Sequence, residues 1–321
     1  MKVLVTGGAG YIGSHVVLDL ITAGHKVVIL DDMSLGCREN IHEEAEFIEG
    51  STLDEAMLDG VLSKNIDAVV HLAAFKAAGE SMMNPEKYSQ NNLNGTFNLL
   101  NSIMKHGVKT FVFSSSAAVY GYPEYLPLDE DHYLKPINYY GFTKLVIEQK
   151  LKWYHQLKGL KYASLRYFNA AGYDVNGRVF GLEKSPQNLL PIVMEVAIGQ
   201  RKSMNVFGDD YDTKDGTGVR DYIHVNDLAS AHVKALEYLQ DNDSFTVNLA
   251  TGDGYSVMDV IKEAVTVTGK TIAHTFVGRR PGDPAELIAT SKQANELLEW
   301  APQYSDLKTI LKSMWNVYNP E

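Results

Sequence analysis

A glycine-rich turn near the start of the numbering constrains the fold of this chain more than any other stretch. The apolar run at residues 3–5 leads into it, and such β-branched-rich runs are typical of strands buried in a parallel sheet. Gly7, Gly10 and Gly13 follow, and a helical pattern begins near Tyr11. Glycines at these positions allow a tight turn, a close approach of the backbone to a pyrophosphate, and close packing of the helix on the strand. The stretch therefore predicts a phosphate-binding turn at a helix N-terminus.

The next apolar run indicates which ligand the turn binds. The spacing G-x-x-G-x-x-G is weak evidence alone, because a strand-to-helix turn without a ligand carries the same glycines. Residues 26–30 form a second buried strand that ends in Asp31, eighteen residues after Gly13. A carboxylate there accepts hydrogen bonds from both ribose hydroxyls of NAD and repels the additional phosphate of NADP. We therefore predict NAD as the cofactor, with NADP as the alternative.

The composition narrows the classes of function. The formal net charge of −11 disfavours nucleic acid and anionic membranes as partners. Cys37 is the only cysteine, so no intramolecular disulfide forms and a reducing cytoplasm is the expected compartment. We expect neither a signal peptide nor a membrane span, and the ten histidines lack the paired spacing of a metal site.

The order of predicted elements indicates an α/β fold. Strands alternate with helices over residues 1–168, which predicts a doubly wound parallel sheet of the Rossmann type as the cofactor domain. Residues 169–321 form the predicted smaller α/β substrate domain. Residues 219–250, with strands at 221–225 and 246–249, are expected to return to the large sheet.

A serine, a tyrosine and a lysine form the candidate catalytic set. Ser116 follows a predicted strand, and Tyr140 and Lys144 lie four residues apart on one helical face. Tyr154 and Lys158 repeat this spacing, about 21 Å further along what reads as the same helix. Helix N-termini share an edge with the carboxyl ends of the strands, so the first pair faces the ligand crevice. We therefore interpret Tyr154 and Lys158 as surface or packing residues.

The chemistry of a tyrosine base supports this choice. Lowering the pKa of a tyrosine from ~10 to neutrality requires roughly 4 kcal/mol. An ammonium about 5 Å away supplies roughly 3 kcal/mol at an effective dielectric constant near 20. We expect Lys144 to supply this charge, the nicotinamide ring of NAD⁺ to supply the rest, and Ser116 to share a hydrogen bond with Tyr140 and the substrate hydroxyl.

These motifs resemble the extended short-chain dehydrogenase/reductase family and, within it, the enzymes that epimerise UDP-hexoses at C4. The resemblance covers nearly the whole chain. Its most specific stretches are FKAAGES (75–81), NNLNGT (91–96), SSSAAVYG (114–121), RYFN (166–169) and DGTGVRDYIHV (215–225). Ala117 and Ala118 stand where related dehydratases and decarboxylases carry acidic residues, which favours epimerisation.

The resemblance implies a set of cofactor contacts. Lys76 would contact the pyrophosphate, although a solvated loop lysine is the alternative. Asn92 would help to build the site, and Ser51 stands where many members have an aspartate near the adenine. The implied cofactor residues are Gly7, Gly10, Tyr11, Ile12, Gly13, Asp31, Ser51, Thr52, Leu72, Ala73, Ala74, Lys76, Asn92, Ser114, Tyr140, Lys144 and Phe168.

It also implies a UDP-sugar site in the substrate domain. Arg220 and Arg280 would bind the diphosphate, with surface ion pairing as the alternative, because a guanidinium binds phosphate in a bidentate manner. Asp283 would bind the uridine ribose. The implied substrate residues are Lys76, Ser116, Tyr140, Asn169, Asn188, Leu189, Asn205, Phe207, Arg220, Tyr222, Arg280, Asp283 and Leu287.

The function implied by the resemblance is reversible C4 epimerisation of UDP-glucose and UDP-galactose through a 4-keto sugar, with tightly bound NAD. Leu287 stands where the room for a 2-acetamido group is decided, so UDP-GlcNAc and UDP-GalNAc are the alternative substrates. A non-catalytic regulator that binds NAD or a sugar nucleotide is a further alternative. The family also implies a homodimer through the Tyr140 helix.

Overall fold

The computed structural model describes residues 1–184, 186–280 and 282–320. Its strands are β1 (Lys2–Thr6), β2 (Lys26–Asp31), β3 (Glu46–Glu49), β4 (Ala68–His71), β5 (Thr110–Ser114), β6 (Lys161–Tyr167), β7 (Asn169–Ala171), β8 (Met204–Phe207), β9 (Val219–Arg220), β10 (Tyr222–His224), β11 (Phe245–Leu249), β12 (Tyr255–Ser256), β13 (His274–Val277) and β14 (Glu286–Leu287).

Its α-helices are α1 (Tyr11–Thr22), α2 (Glu55–Leu62), α3 (Ala78–Met83), α4 (Pro85–Tyr88), α5 (Gly95–Lys105), α6 (Tyr139–Lys158), α7 (Leu189–Ala197), α8 (Val225–Asp241), α9 (Val257–Thr268), α10 (Lys292–Leu298) and α11 (Leu307–Tyr318). A π-helical segment, Ser89–Asn94, leads into α5, and short 3-10 helices lie at Arg38–Asn40 and Ala117–Val119. None of the helices in the described residues combines the length and the apolar character needed to cross a membrane.

The described residues form one large parallel sheet in the order β3-β2-β1-β4-β5-β6-β11. The predicted doubly wound sheet is therefore confirmed. Val5 pairs with Ile29 of β2 on one side and with Val70 of β4 on the other. The strand order reverses between β1 and β4, and ligands of such sheets bind in the crevice outside the carboxyl ends of the strands at this point. The glycine-rich turn follows β1 directly, so it lies at this crevice.

Helices cover both faces of the sheet. Val3 and Val5 of β1 pack into a core with α1 and α8, whereas Leu4 packs into a second core with α2, α5 and α6. Alternate residues of each strand thus reach opposite cores, which explains why the strands read as continuous apolar runs.

Residues 219–250 divide between the large sheet and smaller ones. Strand β11 pairs with β6 at the edge of the large sheet, and α8 packs on α1. Strand β10 instead pairs with β7 in a two-stranded sheet. This corrects the expectation that the strand at 221–225 returns to the large sheet. The reason is that β7 begins only one residue after β6 and provides β10 with a separate parallel partner.

A third core lies beyond the large sheet. Helices α7, α9 and α11 pack together around Val193, Val260 and Ile310, which are fully buried. Strand β8 pairs with β13 beside this core. Three predicted substrate residues lie on these elements: Leu189 begins α7, and Asn205 and Phe207 belong to β8.

Candidate active site

The glycine turn leaves no room for side chains. Gly7 has a φ of +74°, and a Cβ atom there would lie 2.7 Å from the backbone nitrogen of Ala73. A Cβ atom at Gly13 would lie 2.0 Å from the carbonyl oxygen of Gly7. Gly10 caps α1, whose first N–H groups have no acceptor within the helix. The turn thus presents free N–H groups and a helix dipole at a surface that a phosphate can approach closely.

Asp31 lies beside this turn at the end of β2. Its carboxylate accepts hydrogen bonds from the N–H groups of Ala9, at 3.0 Å, and Met33, at 2.9 Å. Burial raises the pKa of Asp31, and these two N–H groups offset part of the rise. An anchored carboxylate next to a phosphate-binding turn fits the ribose and pyrophosphate of a dinucleotide.

Most other predicted cofactor residues lie along the same edge of the sheet. Ser51 and Thr52 follow β3, residues 72–74 and Lys76 follow β4, Ser114 ends β5, and Phe168 follows β6. Asn92 contributes indirectly, because its buried carboxamide accepts from the N–H of Phe75 at 3.0 Å and donates to its carbonyl at 2.9 Å. Asn92 therefore fixes the loop after β4.

Ser116 and Tyr140 are brought together by the start of α6. Asn138 caps this helix by accepting a hydrogen bond from Gly141 N at 2.8 Å. Gly141 packs so tightly on Ala118 that a Cβ atom would lie 2.3 Å from the Ala118 carbonyl oxygen. The helix start thus lies against the 3-10 turn that follows Ser116.

Lys144 completes the set one turn further along α6. Its ammonium donates to the carbonyl oxygen of Ser114 at 2.6 Å and lies 5.8 Å from the ring centroid of Tyr140. Ser116, Tyr140 and Lys144 therefore occupy one place at the end of β5, as the sequence predicts.

The electrostatics of this set differ from the expectation. Burial raises the pKa of Tyr140, and a hydrogen bond from Ser116 only partly counters it. Burial also lowers the pKa of Lys144 to about 7, against the charge of Glu148, which raises it. Without a bound cofactor, Lys144 therefore does not lower the pKa of Tyr140 as predicted. The reason is that the buried lysine is itself only partly charged near neutrality.

A buried ion pair holds α6 on the sheet beneath this site. Arg166 of β6 and Glu148 of α6 contact at 2.7 Å, and both side chains are almost fully buried. Glu148 also accepts from Ser115 at 2.5 Å. These contacts fix the rotation of α6 and hence the direction in which Tyr140 points.

The competing pair at the far end of α6 has different surroundings. Tyr154 donates to Asn101 of α5 at 2.8 Å, and Lys158 ends the helix. Both residues line a shallow surface groove together with Trp153 and Leu157. The structure therefore separates this pair from the crevice.

A cavity of about 450 Å³ lies between α7, β8 and β9. Nine of the thirteen predicted substrate residues line it, namely Asn169, Asn188, Leu189, Asn205, Phe207, Arg220, Tyr222, Arg280 and Asp283. Gln187, Arg201 and Ser203 also line it and were not predicted. In the sequence, only their proximity to predicted residues could have indicated these three. In the structure, Arg201 forms an ion pair with Glu195, as many surface arginines do with nearby carboxylates.

The cavity concentrates positive charge and one aromatic ring. The guanidinium of Arg220, 16% exposed, pairs with Asp283 and donates to the carbonyl oxygens of Val219, at 2.7 Å, and Pro284, at 2.8 Å. The guanidinium of Arg280 lies 3.8 Å from the ring centroid of Phe207. An immobilised arginine and an aromatic face suit a diphosphate and a planar base.

The remaining predicted substrate residues lie outside the lining of this cavity. They are Lys76, Ser116, Tyr140 and Leu287. Leu287 of β14 is in register with Arg220 of β9, and it packs against the cluster that contains Ala117 and Phe168. Leu287 thus lies between the cavity and the catalytic set. Among the described residues, no group of three or more His, Cys, Asp or Glu side chains is arranged to hold a metal ion.

Comparisons with known proteins agree with this geometry. The model of the NAD dependent epimerase/dehydratase family matches residues 3–250. The chain is 47% identical over 319 residues to a UDP-glucose 4-epimerase of Halalkalibacterium halodurans, covering 98% of this chain and 95% of the relative.

Solved structures give the same result. The fold matches the UDP-glucose 4-epimerase of Brucella ovis in complex with NAD, with a TM-score of 0.96, 41% identity, and coverage of 99% of this chain and 98% of that one. It also matches the Bifidobacterium longum enzyme in complex with NAD⁺ and UDP, with a TM-score of 0.94, 39% identity, and coverage of 100% and 99%.

Proposed function

Since this chain belongs to the NAD dependent epimerase/dehydratase family, we propose that it interconverts UDP-glucose and UDP-galactose by reversible epimerisation at C4. It is an isomerase that uses NAD. The observation that carries this function is the juxtaposition of Ser116, Tyr140 and Lys144 with the glycine turn on one side and the arginine-lined cavity on the other.

NAD, when bound at the glycine turn, supplies reversible hydride chemistry at C4 of the sugar. Gly7, Gly10 and Gly13 hold the pyrophosphate, and Asp31 holds the adenosine ribose. Tyr140 takes the proton of the 4-hydroxyl, and Ser116 positions that hydroxyl by hydrogen bonding. Because burial raises the pKa of Tyr140, proton removal requires positive charge beside it, which Lys144 and the nicotinamide ring provide together.

The UDP portion anchors the substrate while the sugar turns. Arg220 and Arg280 hold the diphosphate, Phe207 and residues 188–189 hold the base, and Asp283 holds the ribose. The 4-keto sugar then rotates about the diphosphate link and presents its other face to the same tyrosine. The arrangement of the cavity supports this division. Arg220 and Arg280 line it, whereas Leu287 lies outside its lining, beside Arg220 and towards the catalytic residues.

The activity is tested by NMR of the purified protein with UDP-galactose and no added cofactor. Appearance of UDP-glucose is the expected result, and no turnover even after NAD is added would favour a non-catalytic sugar-nucleotide-binding protein. A second incubation with UDP-GalNAc tests the alternative substrates. Leu287 is smaller than a tyrosine and so leaves more room for a 2-acetamido group. Formation of UDP-GlcNAc in this incubation would indicate dual specificity.

A homodimer through α6 and a cytoplasmic location complete the proposal. Trp153 and Leu157 of α6 are 61% and 68% exposed, and burying such side chains against a second copy removes apolar area from water. The single cysteine is consistent with a reducing compartment. Light scattering of the purified protein should give about twice the chain mass of 35.6 kDa, and Leu157→Arg should reduce it to one chain mass.

A further inference from the structure

A segment that follows β7 crosses the cofactor crevice. It comprises residues 173–184 and is called the strap below. The carbonyl oxygen of Gly172, just before the strap, accepts a hydrogen bond from the hydroxyl of Tyr11, the first residue of α1. The N–H of Asp174 donates to Nε2 of His15 at 3.0 Å. The strap therefore starts on the helix whose N-terminus forms the phosphate turn.

The root of the strap is held firmly. The buried carboxylate of Asp174 accepts from the guanidinium of Arg178, at 2.7 and 2.9 Å, and from the carboxamide of Asn226, at 3.0 Å. Asn226 also accepts from the N–H of Val175 at 3.2 Å. The Asp174–Arg178 ion pair lies within the strap, and the bonds to His15 of α1 and Asn226 of α8 join this end to the rest of the protein.

Towards the far end of the strap, Gly181 is held by a reciprocal pair of hydrogen bonds. The N–H of Gly181 donates to Oδ1 of Asn40 at 2.8 Å, and Nδ2 of Asn40 donates to the Gly181 carbonyl oxygen at 3.3 Å. Asn40 is only 6% exposed and lies in the segment after β2, nine residues beyond Asp31. This reciprocal pair is called the latch below.

Two further contacts extend the strap along the crevice. Glu183 forms an ion pair with Lys76, in the loop after β4. Lys184 donates to the carbonyl oxygen of Met33, in the segment after β2, at 3.4 Å. The strap therefore contacts α1 and the segments after β2 and β4, which are the three parts of the chain that border the phosphate turn.

From this closed arrangement we infer that the strap retains NAD through turnover and that the Asn40–Gly181 latch controls its release. The inference rests on the proposed use of NAD. An epimerase returns the hydride that it removes, so a cofactor that leaves between the two transfers stops the reaction. A segment bridging all three borders of the site has to open before a dinucleotide departs, and the latch is joined by fewer bonds than the root.

Two variants open the latch from opposite sides. Asn40→Ala removes both hydrogen bonds. Gly181→Ala places a Cβ atom 2.4 Å from Oδ1 of Asn40 and 2.8 Å from Sγ of Cys37, which forces the latch apart. Gly60→Ala, in α2, is the matched control, since nothing lies within 4 Å of a Cβ atom there.

The measurement is the rate at which radiolabelled NAD exchanges into the holoenzyme, followed by gel filtration. Both latch variants should exchange NAD at least tenfold faster than the wild type, with kcat at saturating NAD within about twofold of it, and Gly60→Ala should exchange at the wild-type rate. Equal exchange rates in the wild type and in a folded latch variant would overturn the role of the strap. A wild-type protein that neither carries nor takes up NAD would overturn the proposed function as well.

Discussion

At the scale of single residues, Tyr140 and Tyr154 share one helix and one spacing to a lysine but have different surroundings. Tyr140 contacts Ser116 and lies beside a buried lysine, whereas Tyr154 donates to Asn101 on the outer face of α5 and α6. Position along the helix, which the rise per residue gives from sequence alone, is therefore sufficient to distinguish them.

Replacing each hydroxyl in turn tests this distinction. Tyr140→Phe should lower kcat by a factor of 10² to 10⁴ or more, the usual contribution of a positioned acid or base, with an unchanged circular dichroism spectrum. Tyr154→Phe is the matched control and should retain activity. Comparable losses in the two variants would contradict the assignment of Tyr140.

The charges of the catalytic set were less predictable than its positions. Spacing places Lys144 on the same helical face as Tyr140, but sequence does not give the burial that lowers the pKa of Lys144 to about 7. Burial depends on Phe113 and on the rest of the sheet, which come together only in the fold. Likewise, Arg201 lines the cavity without a signal in its own sequence context.

At the scale of elements, the turn from β1 to α1 depends on the close approach of two backbones. Gly13→Ala would place a methyl group 2.0 Å from the Gly7 carbonyl oxygen, which forces the turn open. We expect this variant to lose bound NAD and to unfold at a lower temperature. Gly60→Ala, in the interior of α2 with open space around it, should instead stabilise the protein by about 0.5–1 kcal/mol. Retention of NAD by Gly13→Ala would contradict the role of this turn in binding the phosphates of NAD.

A buried histidine links β1, β4 and α5. His71 at the end of β4 bonds to Thr6 of β1 at 2.6 Å and to Thr96 of α5 at 2.8 Å. Burial, aided by the charge of Lys144, lowers the pKa of His71 to about 3.

The titration of His71 is therefore testable by NMR. Its ring signals should stay those of a neutral imidazole from pH 8 to pH 5. The unfolded chain binds this proton near pH 6.5 and the folded chain only near pH 3, so acidification through this window favours unfolding, by up to about 1.4 kcal/mol per pH unit. A titration midpoint of His71 above pH 6 would show that the Thr6–His71–Thr96 contacts are open to water.

At the scale of the whole molecule, the local sequence pattern predicts the type of fold, but it does not predict which strands pair across long distances in the chain. The parallel sheet follows from the alternation of strands and helices along the chain. Strand β6 was not assigned from the sequence, and β10 was placed in the wrong sheet. Both depend on partners distant in the chain, since β6 lies between β5 and β11 and β10 pairs with β7.

In the proposed reaction, one site removes hydrogen from C4 and returns it to C4 with NAD bound throughout. The most direct test is incubation of the purified protein with UDP-galactose that carries deuterium at C4, in ordinary water and without added NAD. The expected product is UDP-glucose that retains deuterium at C4. Protium at C4 of the product, or no product until NAD is supplied at every turnover, would contradict it.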